Sequence, residues 1–186
     1  MTVPDALGPL RLRPATAADE PFLFALYAGT RQAEVAAWGW DAALRDVFLR
    51  QQFMAQQQGY RAEFPTAEHW IVEAAGRPVG RLLLHTGADE IRIVDIALLP
   101  TAQGQGLGTR LLRGVLASGA HRGRPVRLHV RVGNPARRLY ERLGFVARAD
   151  NGLDVLMEWE PPTGGAPLEG ELSRDDAELD ALGGGP

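Results

Sequence analysis

A chain of 186 residues with 45% hydrophobic side chains has the size and apolar content of one globular domain. It contains no cysteine, which excludes disulfides, thiolate metal sites and a cysteine nucleophile. The formal charge of -3 is unevenly spread: residues 161–186 carry six acids and one arginine, so the remainder is slightly basic.

All twenty basic residues are arginine; none is lysine. A genome biased towards Arg, Ala, Gly and Pro codons gives this pattern, and so does an acylating enzyme that avoids modifying itself. Ten arginines lie between Arg110 and Arg148, which favours an anionic ligand on that half. Met1 to Leu10 lacks the basic-then-apolar pattern of a signal peptide, and no apolar run approaches the roughly 20 residues that span a bilayer. The expectation is a cytoplasmic protein without membrane association.

In chain order, LRLRP (10–14) reads as a strand closed by Pro14. Thr16 can cap a helix over about 18–35, and Asp41 a second over about 42–58. The second helix has Leu44, Val47, Phe48, Met54 and Ala55 along one apolar side. HWIVEAAGRPVGRLLLHT (69–86) reads as two strands around an Ala-Gly-Arg-Pro turn. EIRIVDIALL (90–99) is a fourth strand. Gly106 to about Ala120 is a helix, with Leu107, Leu111, Leu112, Val115 and Leu116 on its buried face. PVRLHVRV (125–132) alternates strictly and is a fifth strand, placing His129 with Arg127 and Arg131 off the apolar face. Asn134 caps a helix ending near Gly144, and FVARA and LDVLMEWE supply two last strands. The order β-α-α-β-β-β-α-β-α-β-β predicts an α/β mixed sheet with helices on both faces. Residues 1–160 form the domain; 161–186 read as an acidic, Pro/Gly-rich, disordered tail.

The stretch PTAQGQGLGTRLL (100–112) sets three glycines at a strand-to-helix turn. Unpaired N–H groups at a helix start, with glycine allowing close approach, suit a pyrophosphate. A P-loop is excluded, because it needs a lysine. A dinucleotide fingerprint fails too: counted from Gly104, its third glycine falls on Thr109, and Arg124–Arg127 lacks its acidic residue. The pattern Q/R-x-x-G-x-G/A is met by Gln103, Gly106 and Gly108. NPARRLYERLGF (134–145) follows after one helix and one strand. Together the two stretches resemble the two signatures of the GNAT superfamily of N-acetyltransferases.

The resemblance implies a mostly antiparallel mixed sheet of about seven strands flanked by about four helices, splayed between strands four and five. It implies acetyl-CoA as acyl donor to an amine; without a cysteine to carry the acyl group, direct attack in a ternary complex is the expectation. By the same resemblance, Ile96, Ala97 and Leu98 pair with the pantetheine arm. Gln103, Gly104, Gln105, Gly106, Leu107, Gly108 and Thr109 cradle the pyrophosphate. Asn134 contacts the pantetheine or phosphate region, and it is also a good helix cap. Arg137, with Arg138, can approach the adenosine phosphates. The Leu98 N–H is the oxyanion donor and Tyr140 the general acid. His129 stands where the family's ribosomal-protein acetyltransferases carry a catalytic glutamate, so it is a candidate base, as are Asp95, Glu73 and a water relay. Asp95 reads equally as a partner for a buried arginine.

The acceptor side is expected along the first two helices, with Glu34, Trp38, Trp40, Asp41, Gln52, Gln56 and Tyr60 on offer. The acceptor is a small-molecule or peptide amine; nothing in these residues chooses between them, and a homodimer is left open. Two other functions compete: a catalytically silent CoA-binding regulatory module, against which Tyr140 argues, and a toxin acetylating aminoacyl-tRNA. The acidic tail and missing lysines disfavour a nucleic-acid partner. His69, His85, His121 and His129 fall on separate elements, without metal-ligand spacing.

Overall fold

The computed structural model describes residues 10–162, apart from the side chains of residues 32–34. Seven strands form one sheet in the order β1-β2-β3-β4-β5-β7-β6. They are β1 Leu10–Pro14, β2 Glu68–Ala74, β3 Arg77–Thr86, β4 Ile91–Leu98, β5 Val126–Arg131, β6 Val146–Asp150 and β7 Asp154–Trp159. The helices are α1 Glu20–Ala36, α2 Ala42–Glu63, α3 Leu107–Arg122 and α4 Ala136–Arg142. Every element expected from the sequence is present in the expected order. From residue 163 onward the acidic tail lies outside the described residues.

All neighbouring strands run antiparallel except β4 and β5. That parallel pair is short, from Ile91↔Val126 to Ile93↔Leu128. The pairing of β4 with β3 slips at the same place: Leu84 faces Ile93 but Leu83 faces Asp95, leaving Val94 as a bulge. A bulge bends its strand and raises its twist. Here it turns β4 away from β5, and the sheet opens in a V beyond Ile93.

One face of the sheet carries the main core. Leu82, Leu84, Ile91, Val126, Leu128 and Met157 meet Leu111, Leu112 and Val115 of α3 there, with Tyr140 of α4. Each such aliphatic side chain contributes on the order of 1.5–3 kcal/mol by burial. The opposite face holds a smaller core of Leu23, Tyr27, Val35, Leu49, Phe53 and Ile71 beneath α1 and α2. Beyond β4 that face turns to solvent. Glu90 joins Arg92 and Arg127, Glu158 joins Arg127 and Arg148, and Arg148 reaches Glu160.

The roll of α2 differs from the sequence expectation. Its buried stripe is Leu49 and Phe53, continued by Gln56 and Tyr60, whereas Leu44, Val47 and Met54 are 49%, 53% and 49% exposed. Phe53 fixes the roll by packing against Phe24 and Tyr27, at ring distances of 5.8 and 5.6 Å. Asp41 caps α2 as expected, accepting from the Leu44 N–H at 2.8 Å. At the start of α1, a short 3-10 turn intervenes (Ala17–Asp19), where Asp19 accepts from both Thr16 and Arg13.

Candidate active site

At the end of β4 the chain makes a 3-10 turn (Pro100–Ala102) and enters α3 through the glycine-rich stretch. Gly104 and Gly106 take φ of +71° and +70°, the left-handed region that other residues occupy at a cost of about 1–2 kcal/mol. A side-chain carbon at either would meet nothing within 4 Å. These two glycines are therefore required by backbone conformation rather than by crowding, and the space before them is open. It is a cleft of about 180 Å3 lined by Leu98, Ala102, Gln103, Gly104, Gly106, Leu107, Gly108, Thr109 and Arg142. The first N–H groups of α3 border it, and they have no partners within the helix. A pyrophosphate fits this donor set.

The loop is tied down by its own side chains. Gln103 Nε2 donates to the Leu98 carbonyl at 3.0 Å, and Gln105 Nε2 to the Thr101 carbonyl at 2.8 Å. Of the residues expected at the pyrophosphate, all but Gln105 line the cleft. Arg142 was not expected. It sits on the last turn of α4, and neither motif pattern specifies that position. Arg137 instead pairs with Glu141 at 2.8 Å, and Arg138 is exposed. Asn134 stands just ahead of Pro135, the residue at the N-cap of α4, and its side-chain oxygen accepts from the Ala136 N–H at 2.9 Å.

Leu99 donates its N–H to Val79 of β3 at 2.8 Å. Strand alternation then turns the Leu98 N–H to the opposite edge of β4, towards the V. Ile96 shares that edge. Beyond Ile93 no described residue of β5 pairs with it. Tyr140 is 7% exposed, and its ring meets Phe145 edge-on at 5.8 Å. Burial, with a smaller contribution from Asp95, pushes its hydroxyl up to about 12.

The candidate bases are all engaged by arginines. Glu73 accepts from Arg13 at 2.7 Å. Asp95 forms an ion pair with Arg81, which is 3% exposed, and so takes the buried-arginine reading. His129 is exposed, and its Nδ1 lies 3.4 Å from Arg92 Nη1. A guanidinium only donates, so that contact assigns the proton of neutral His129 to Nε2.

On the acceptor side, Gln56 accepts from Arg81 Nη2 at 3.1 Å, and Tyr60 lies under the same guanidinium, 5.7 Å from ring centre to Cζ. Burial first, then Asp95, pushes the Tyr60 hydroxyl up to about 12. His69 stands nearby on β2, drawn down to about 4 by burial and by Arg81. Trp38 and Trp40 pack with Phe48 in a surface cluster, at ring distances of 4.9 to 5.3 Å. Gln52 is exposed, and the Glu34 side chain is outside the description. Among the described residues, no group of acids and histidines could hold a metal ion, and no helix is long and apolar enough to cross a membrane.

Residues 31–145 match the sequence model of the acetyltransferase (GNAT) family. The chain is similar to the [ribosomal protein bS18]-alanine N-acetyltransferase of Haemophilus influenzae, 37% identical over 89 residues. The match covers 47% of this chain and 58% of that enzyme, so it spans a little over half of the relative's length. Among solved structures, the PaiA N-acetyltransferase of Thermoplasma acidophilum in complex with coenzyme A superposes with a TM-score of 0.62 at 16% identity. That superposition covers 81% of this chain and 98% of that one. An acetyltransferase of Thermus thermophilus superposes with a TM-score of 0.60 at 22% identity, covering 81% and 96%.

Proposed function

The chain belongs to the acetyltransferase (GNAT) family, and from that premise we propose that it transfers an acetyl group from acetyl-CoA to a primary amine. The observation that carries the reading is the cleft between Leu98 and the start of α3, a ready pyrophosphate cradle opening beside a split sheet. The bound donor would supply an acyl thioester. Gln103 to Thr109 and Arg142 would hold its pyrophosphate, while the free edge of β4 at Ile96 and Leu98 would take the pantetheine amides in place of the missing β5.

With no cysteine in the chain, the acyl group cannot pause on a protein thiol, and the amine attacks directly. The Leu98 N–H stabilises charge developing on the thioester oxygen. In other enzymes, loss of one such donor costs roughly 3 kcal/mol. Tyr140 is the proton source for the departing thiolate. Its raised hydroxyl stays protonated through the neutral range, so it is always charged with a proton when turnover begins. A thiol ionises near 8.5, so thiolate leaves readily by itself and this help is modest.

The acceptor is a primary amine; the relative's named substrate, an alanine of ribosomal protein bS18, makes a polypeptide amine one candidate. The test is purified full-length protein with acetyl-CoA, a panel of amines and a thiol detector. Thiol release that depends on the amine supports the reading. CoA binding by calorimetry without release on any amine would leave only a binding module.

A further inference from the structure

Asp95 stands at the lip of the V, one residue after the bulge and three before Leu98. Its Oδ2 is bound by Arg81, and the side chain is 21% exposed, which leaves Oδ1 able to accept a further hydrogen bond. Its charge is felt by Tyr60 of α2, His69 of β2 and Tyr140 of α4, and Arg81 of β3 is its ion-pair partner. The paired charge matters for an incoming amine. A lone carboxylate would bind the ammonium form and hold its proton. A carboxylate already neutralised by a buried guanidinium still accepts a hydrogen bond but does little to retain that proton. The other candidate bases offer no substitute. Glu73 is held by Arg13. His129 has its one lone pair on Arg92, with Arg127 and Arg131 beside it on β5 and Glu90 behind Arg92.

We propose that Asp95 Oδ1, positioned by Arg81, orients the attacking amine, and that no side chain takes the proton from its ammonium form. The site therefore selects acceptors that lose a proton to water near neutral pH: the α-amine of a polypeptide or aminoacyl end, over the ε-amine of lysine. This rests on the transferase reading above. The balance is simple. The ammonium gives one proton to solvent, the amine nitrogen bonds the acyl carbon as the carbon–sulfur bond breaks, and the remaining surplus proton ends on sulfur through Tyr140. An α-amine near pKa 7.8 is about 30% neutral at pH 7.4, and a lysine near 10.4 only about 0.1%. Weaker bases are weaker nucleophiles, which returns part of that ratio and leaves a preference of roughly ten-fold or more.

The test uses two peptides of one sequence: one with a free amino terminus and no lysine, the other amino-blocked with a single lysine. kcat/KM is measured with each from pH 6.5 to 10. The expected result is the α-amine preference at pH 7.4, narrowing as pH rises, with the α-amine profile breaking near its own pKa of about 7.8 and the lysine profile still rising at pH 10. Profiles that share one break below pH 8, or equal use of lysine, would overturn the proposal by revealing a base on the enzyme. Asp95→Asn should raise the KM for the amine several-fold and leave that for acetyl-CoA and the position of the break unchanged; a moved break overturns the proposal. Where that variant fails to fold because Arg81 is left unpaired, the neutral pair Arg81→Gln/Asp95→Asn carries the same expectation and the same refutation. No thiol release with either peptide, despite bound CoA, would sink the transferase reading itself.

Discussion

Gly80 provides a quantitative handle on β4, the strand proposed to carry the oxyanion donor. It lies on β3 opposite Leu98, and an added Cβ would stand 2.4 Å from the Ala97 carbonyl oxygen and 2.5 Å from Leu98 Cδ2. Ordinary contact begins near 3.4 Å, so in Gly80→Ala the backbone of β4 must retreat by about 1 Å. The Leu98 tip could swing aside, but the Ala97 carbonyl is main chain and could not. Overpacking of this kind costs roughly 1–3 kcal/mol, or about 2–10 °C in Tm for a domain of this size. The catalytic effect should be larger in proportion. The displaced residues carry the proposed oxyanion N–H, and a 1 Å misplacement can lower turnover about 100-fold. Thermal melting and thiol release measure the two effects separately. Gly59→Ala is the control: nothing lies within 4 Å of its added carbon in α2, so it should gain up to about 1 kcal/mol and keep kcat. Wild-type turnover and melting in Gly80→Ala would refute the argument that β4 is held at its catalytic spacing by β3.

Tyr140→Phe should lower kcat while acetyl-CoA binding persists in calorimetry; unchanged turnover would remove the hydroxyl from the mechanism. Arg142→Ala should weaken CoA binding and flatten its salt dependence, whereas Arg137→Ala, whose guanidinium is spent on Glu141, should change it little; titrations at two salt concentrations separate them. His69 is held below its unfolded pKa, so between about pH 6.5 and 4 the unfolded chain binds the extra proton and stability falls with falling pH. The slope is at most roughly 1.4 kcal/mol per pH unit, and His69→Phe should flatten it in denaturant titrations.

Element order was legible because each helix and strand carries a local signal. Asp41 and Asn134 mark starts, and alternation in 126–131 marks β5 with His129 facing out. The roll of α2 was not legible. Its sequence has two stripes, and Leu44, Val47, Phe48, Met54 and Ala55 make the more apolar one. The buried stripe is the mixed one, because Phe53 docks on α1 and Gln56 and Tyr60 must reach Arg81. That choice depends on partners far away in sequence. The pyrophosphate loop was visible through its glycines, since positive φ leaves a mark on residue choice. Arg142 leaves none, being one arginine among twenty until α4 swings it over the cleft. The engagement of Glu73 and His129 by arginines was equally hidden, because each pairing joins different strands; for Asp95 a buried arginine was expected, but not that it would be Arg81.

The split between β4 and β5 also has a consequence for the protein's lifetime. Half of a strand edge stands open inside the sheet, and a donor that fills it binds only the folded chain. Occupancy at 100 times Kd would add about 2.7 kcal/mol to folding stability. Amides at Ile96 and Leu98 should then pass from rapid to slow hydrogen exchange as the edge is covered. Resistance to proteolysis would rise and fall with the supply of acyl donor, so that a starved cell holds a softer, shorter-lived form of the same molecule.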